Sequence, residues 1–216
     1  MYKEPFQQRF IQVYQQLKLF IYPLGLALLG VLIVRCIYSR TDVYFFINHL
    51  HTPTGDFVFP YITELGSTAA TVVFSLLLFF INKRMGIVMA LAYIITAIIS
   101  FTLKFLVGFP RPHRYFAARL QDIYFVPGVE ILDNFRSFPS GHSVCAFTAA
   151  TVLSYYAKNK YWSFLYLSLA LLVAWSRMYM SQHFLEDVTA GAILGVFVSM
   201  IWLSFAAVST NGISRP

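Results

Sequence analysis

Charge is scarce in this chain. Of 216 residues only 9 are acidic and 16 are Lys or Arg, so 12% are charged, against roughly a quarter in ordinary soluble domains. Apolar residues make up 58%. A soluble globule of that composition would expose extensive greasy patches, which argues for a chain whose outer face meets lipid. Cysteine is nearly absent too: Cys36 and Cys145 both lie inside apolar runs. That leaves no zinc-type cluster and no disulfide framework, and both thiols read as small buried hydrophobes. Residues 1–18 are polar and Gln-rich, and no A-x-A-like site follows the first apolar run. No cleavable signal is expected, and that run is expected to be retained. No internal repeat or low-complexity linker divides the chain, so one domain over 1–216 is expected.

What the chain does have is apolar runs of the length a bilayer needs, about 20 residues. Six candidate spans fall at about 19–38, 61–81, 86–107, 140–157, 162–177 and 183–206. Ahead of them, Phe6, Phe10, Val13, Tyr14 and Leu17 recur at helical spacing with Gln and Arg opposite, the pattern of a short interfacial helix within residues 1–18. The expected fold is all-α, a bundle of six transmembrane helices with that short N-terminal interfacial helix. Residues 43–59, with Asn48, His49, His51, Pro53 and Gly55, read as a partly helical surface segment.

Orientation follows from basic residues in short connections. Lys3, Arg9 and Lys18, then Lys83-Arg84, then Lys158 and Lys160 all fall on one side of an even-numbered bundle. That side is expected to be cytoplasmic, with both termini there. The opposite side is basic as well, through Arg35, Arg40, Arg111, Arg114, Arg119, Arg136 and Arg177. A bound anion explains this better than nucleic acid does, because the cations are dispersed along the chain rather than gathered on a soluble face. The longest non-spanning stretch, 108–139, lies on this second side, and loops of that length are often functional.

Three polar clusters sit where membrane sequences seldom place them: Lys104 with Arg111-Pro112, then Pro139-Ser140-Gly141-His142, then Ser176-Arg177 with His183 and Asp187. Span order alone brings all of them to one face. Lys104, Arg111 and Arg177 supply three cations suited to a polyanion, although any one of them alone would read as a snorkelling anchor. Ser140 and Gly141 open a helix whose free N–H groups and dipole favour an anion; taken alone they are only a cap. His183 and Asp187, four apart, share a helix face. Asp187 can fix one imidazole nitrogen and free the other to attack, or the pair can be structural. His142 suits a general acid, or a plain helix-start residue. A metal held by His142, His183 and Asp187 is disfavoured by the three cations at the same place, so no metal and no cofactor is expected.

This pattern resembles the type-2 phosphatidic acid phosphatase superfamily, whose signature is K-x6-R-P, P-S-G-H and S-R-x5-H-x3-D. The chain carries Lys104-x6-Arg111-Pro112, Pro139-Ser140-Gly141-His142 and Ser176-Arg177-x5-His183-x3-Asp187, matching all 11 fixed identities, and Asp187 to Gly191 continues the likeness. The resemblance covers spans two to six. It implies a histidine nucleophile at His183 oriented by Asp187, with His142 as general acid. It implies phosphate held by Lys104, Arg111, Ser140, Gly141 and Arg177, and no metal. It further implies a six-span enzyme of the bacterial inner membrane with its site at the outer face. The expected substrates are lipid phosphates: a polyprenyl diphosphate such as undecaprenyl diphosphate, phosphatidylglycerol phosphate or phosphatidic acid, with lipid A phosphate the alternative. The bilayer and the lipid substrate are the expected partners, nucleic acid is not, and the oligomeric state is open.

A non-hydrolytic lipid-phosphate transporter would not need His142, His183 and Asp187 together. A vanadate haloperoxidase, which shares the pocket in this superfamily, would be soluble. Gly191 and Gly195 read as a packing face within the bundle. His113, Arg114, Arg119 and Arg136 flank the motifs as candidate headgroup contacts or ordinary surface, and Glu186 is given no catalytic part.

Overall fold

The computed structural model describes residues 4–206 and is helical throughout, with no strand among the described residues. Lys3 and the expected side of the C-terminus lie outside the described residues. The helices are α1 Phe6–Gln16, α2 Lys18–Ile37, α3 Arg40–Asn48, α4 Pro53–Ile62, α5 Thr68–Ile81, α6 Lys83–Val107, α7 Pro112–Tyr115, α8 Gly141–Tyr156, α9 Trp162–Tyr179 and α10 Leu185–Ala206. Short 3-10 turns at Thr63–Gly66 and Ala117–Asp122 complete them.

Local chemistry sets the boundaries. Ser39 and Asp42 form a reciprocal capping box at the start of α3. Thr52 caps α4 through the Gly55 N–H at 3.0 Å, with Pro53 in the first turn. Ser67 and Asn82 cap α5 and α6 in the same way. Gly108 ends α6 at a φ of 56°, a left-handed conformation that costs glycine nothing.

Helices stand at all six expected spans, with ends within a few residues of expectation except in the second. There the chain is a bent pair, Pro53–Gly66 and Thr68–Ile81, with 55° between the parts. The segment at 43–59, expected to be partly helical, holds most of α3 and the first part of α4. By length and apolarity three helices are able to cross a membrane, or four with the bent pair counted as one. The protein is a multi-pass membrane protein on these helices. α8, at 16 residues, is shorter than these helices. It is ringed by α6, α9 and α10 rather than lipid, and Ser143, Thr148, Thr151 and Ser154 are fully buried along it. By contrast α2 and α5 turn large side chains outward, Leu26 at 72% and Phe80 at 82% exposure, as lipid-facing helices should. Cys36 shares that outward face, so the expectation of a buried thiol fails there; Cys145 is half-buried.

Glycine permits the close packing around α8. A Cβ on Gly191 would lie 2.7 Å from Ser140 O, one on Gly195 2.7 Å from Val144 O, and one on Gly66 2.6 Å from His142 O. The small-residue face of α10 is thus a helix contact inside the bundle. α1 crosses the far end of α10, with Val13 and Leu17 buried and Arg9 Nη1 donating to Ser204 O at 3.0 Å. Arg84 Nη2 donates to Ala206 O at 2.7 Å at the same end. Lys83 opens α6 and Lys104 lies in its last turn, roughly 30 Å away at 1.5 Å per residue. The motif-bearing end of the bundle is therefore opposite the end where Arg9 and Arg84 gather.

Candidate functional site

Four helix tips build the site: the end of α6, the start of α8, the end of α9 and the start of α10. The connection from Gly108 to Pro139 closes over them. Lys104 lies one turn before the end of α6, and its Nζ donates to Arg136 O at 3.0 Å and to Pro139 O. Arg111 precedes α7 and is buried, with 8% exposure, so its guanidinium needs several acceptors. Nε donates to Asn134 Oδ1 at 3.1 Å and Nη1 to Gln182 O at 2.9 Å. Nη1 also stands 3.2 Å from His183 Nε2. Arg177, at the end of α9, donates from Nη1 to Thr63 Oγ1 at 3.1 Å, while its buried Nε has no partner among the described residues.

His183 lies in the connection between α9 and α10 and is 2% exposed. Its Nδ1 is 3.4 Å from Asp187 Oδ2 and 3.4 Å from Ser137 Oγ. Both contacts are long for a hydrogen bond, so the ring is held by two weak contacts rather than one strong one. Asp187 is fixed more tightly, accepting from Ser137 Oγ at 2.6 Å and from the Phe184 N–H at 2.9 Å. An arginine cannot be deprotonated here, so the nitrogen facing Arg111 carries the lone pair and Nδ1 carries the proton. Burial, followed by Arg111, Arg177 and Lys104, holds the His183 pKa well below the ordinary histidine value. The free nitrogen is thus neutral and aimed at the cations.

Ser140 is fully buried; its N–H donates to Asp187 O at 2.9 Å, which stitches the second motif to the third. Its hydroxyl accepts from Ser143 Oγ at 3.1 Å. Gly141 leaves open space, since the nearest atom to an added Cβ is Lys104 Cε at 3.8 Å. His142, in the first turn of α8, lies within electrostatic reach of Arg177, Arg111 and Lys104. The structure therefore gathers Lys104, Arg111, Ser140, Gly141, His142, Arg177, His183 and Asp187 at one place. Among the described residues no three His, Cys, Asp or Glu side chains are arranged to hold a metal ion.

Four contributors escaped the sequence reading. Ser137 touches both His183 and Asp187, Asn134 braces Arg111, the Gln182 carbonyl accepts from Arg111, and Thr63 holds Arg177. Ser137 and Gln182 lie within two residues of motif positions, so adjacency was a usable signal; Thr63 and Asn134 offered none. The flanking basic residues divide. Arg114 makes two bonds to Asp133 at 2.8 and 3.1 Å, which hold that carboxyl below its usual range, and Arg119 pairs with Asp122 at 2.9 Å. Glu186 points away from Asp187's partners and pairs with Arg35 at 2.8 Å and Arg40 at 3.3 Å.

The family model of the PAP2 superfamily matches residues 84–211. An undecaprenyl-diphosphatase of Sulfolobus acidocaldarius is 33% identical over 124 residues, covering 56% of this chain and 58% of that protein. Lipid phosphate phosphatase 1 of Arabidopsis thaliana is 30% identical over 131 residues, covering 50% of this chain and 40% of that protein. The chain thus spans about half the length of the curated relatives it matches. Among solved structures, LpxE of Aquifex aeolicus superposes with a TM-score of 0.66 at 29% identity, over 76% of this chain and 93% of that one. A transmembrane PAP2-type phosphatidylglycerolphosphate phosphatase from Bacillus subtilis gives 0.65 at 24% identity, over 93% and 100%, and supports the fold.

Proposed function

The chain belongs to the PAP2 superfamily, and from that premise we propose that it is a lipid phosphate phosphatase working through a phosphohistidine on His183. The observation that carries this reading is the two-sided hold on one imidazole. Asp187 and Ser137 take the Nδ1 side, while Nε2 faces the Arg111 guanidinium at 3.2 Å. A phosphate entering among Lys104, Arg111 and Arg177 would take over the Arg111 donor and present phosphorus to the lone pair it now covers. The forked guanidiniums, the Ser140 and Gly141 helix start and the Lys104 ammonium match the oxygens of a transferring phosphoryl group.

The reaction balances on these residues. Nε2 of His183 forms a bond to phosphorus as the bond from phosphorus to the lipid oxygen breaks, and His142 gives that oxygen its proton. Asp187 stabilises the positive charge on the imidazole. Water then attacks phosphorus, gives a proton to His142, and inorganic phosphate leaves as the N–P bond breaks. Three protein cations supply the charge stabilisation that a metal would otherwise give, so the chemistry needs none.

The topology that fits is six spans forming a single domain, with α1 at the interface and the basic end cytoplasmic in a bacterial inner membrane. The site then opens outward, where lipid headgroups lie. The substrate is a phosphomonoester or diphosphate of a lipid, such as undecaprenyl diphosphate, phosphatidylglycerol phosphate or phosphatidic acid, with lipid A phosphate as the alternative. Purified protein assayed against that panel tests the reading. Phosphate release that persists in chelator, stops with vanadate and vanishes in His183→Ala supports it. Undiminished release by His183→Ala, or a requirement for added zinc or magnesium, refutes it.

A further inference from the structure

The motifs fix the end of α9 and the start of α10 but say nothing about the turn that joins them, and that turn carries His183. Its backbone is unusual. Ser181 has a φ of 56°, and among the described residues no other non-glycine has a positive φ. Outside glycine that conformation is strained, so the surroundings must hold it. The Gln182 and His183 N–H groups then both turn back onto Arg177 O, at 3.0 and 3.2 Å.

A group on a helix distant in sequence is bonded to this turn. Asn48, the last residue of α3, is buried with 3% exposure. Its Nδ2 donates to Ser181 Oγ at 3.0 Å and to Tyr124 O at 2.8 Å, and its Oδ1 accepts from the Tyr124 N–H at 3.0 Å. One amide thus joins the connection over the site to the turn beneath it. Gln182 adds a second tie between the same two segments, donating from Nε2 to Glu130 O at 2.9 Å.

We propose that Asn48 and Ser181 are positioning residues for the nucleophile, holding the turn in its left-handed bend so that the His183 ring stays between Arg111 and Asp187. This rests on the phosphohistidine reading above. Among the described residues the ring's polar contacts are 3.2 to 3.4 Å, too long to fix its aim by themselves, so that aim depends on the backbone that carries it. Without the Asn48 tie, residue 181 relaxes toward negative φ and the imidazole swings off line. The phosphate cup, built from Lys104, Arg111 and Arg177, does not include either residue.

The test is kinetic. Asn48→Ala, Ser181→Ala and the double variant are purified, with folded protein measured by thermal melting and turnover referred to folded enzyme. Misaiming by about an ångström costs up to about a hundredfold in rate. Each single variant is expected to lose about tenfold or more in kcat, with vanadate inhibition unchanged and the double variant no worse than the worse single. Ser181→Gly removes the hydroxyl but also the steric cost of the bend; it should melt no lower than Ser181→Ala and lose less kcat than Ser181→Ala. Wild-type kcat in Ser181→Ala overturns the proposal, and so does an equal loss of vanadate binding and kcat. Phosphohistidine on His183 in the wild type alongside either result shows that only this inference has failed.

Discussion

Replacing Arg111 with lysine keeps the charge and removes the fork. The guanidinium now serves Asn134 Oδ1 at 3.1 Å, Gln182 O at 2.9 Å and the face of His183 Nε2 at 3.2 Å. A lysine ammonium can reach one of these directions at a time. Hydrogen bonds to charged groups contribute roughly 1.5–3 kcal/mol each, and losing one donor aimed at transition-state charge typically costs about 10²–10³ in rate. The retained charge offsets part of this, so kcat is expected to fall about 10²-fold, or roughly 2.7 kcal/mol of barrier, with a smaller rise in KM. The assay is phosphate release in detergent or vesicles, with thermal melting run in parallel because Arg111 also braces Asn134 and Gln182. If Arg111→Lys stayed within about threefold of wild type in kcat/KM, the fork would not be gripping the reacting phosphate and the geometric argument would fail.

Asp187→Asn should leave the fold intact yet lower kcat by about 10²–10⁴, because an amide in that place favours the wrong imidazole tautomer; phosphate-release kinetics with unchanged melting would check it. His142→Ala should either stop phosphoenzyme formation or let it accumulate, and quenched-flow measurement with a normal burst and normal turnover would count against the acid assignment. Gly191→Ala places a Cβ 2.7 Å from Ser140 O, so α8 and α10 must part. A loss of about 1–3 kcal/mol is expected, read as a lowered melting temperature together with lost activity.

Much of the fold could be read directly because the bilayer imposes long apolar runs. α2, α6 and α10 announce themselves by composition, and the helix tips that carry Lys104, Arg177 and Asp187 followed from counting spans. The bend between α4 and α5 was not legible. Its helix start depends on a Thr52 cap amid residues such as His51, Pro53 and Gly55, which look like surface turn chemistry. A helix was expected at 140–157 and α8 stands there, enclosed by protein, with Thr148 and Thr151 buried where a lipid-facing helix would turn apolar side chains outward. The residues at motif positions were named from sequence spacing, and the structure brings them together at one end of the bundle. Thr63, Asn134 and Asn48 were not, because each acts through a contact between segments far apart in the chain, and no spacing rule encodes that.

The phosphorylated intermediate tests the account most directly. Wild-type protein and His142→Ala are mixed with a labelled lipid phosphate, quenched in alkali within milliseconds, and mapped by mass spectrometry. The account predicts an acid-labile, alkali-stable phosphoryl group on His183 that forms before phosphate is released. A phosphoryl group on any other residue, or full turnover with none on His183, would contradict it.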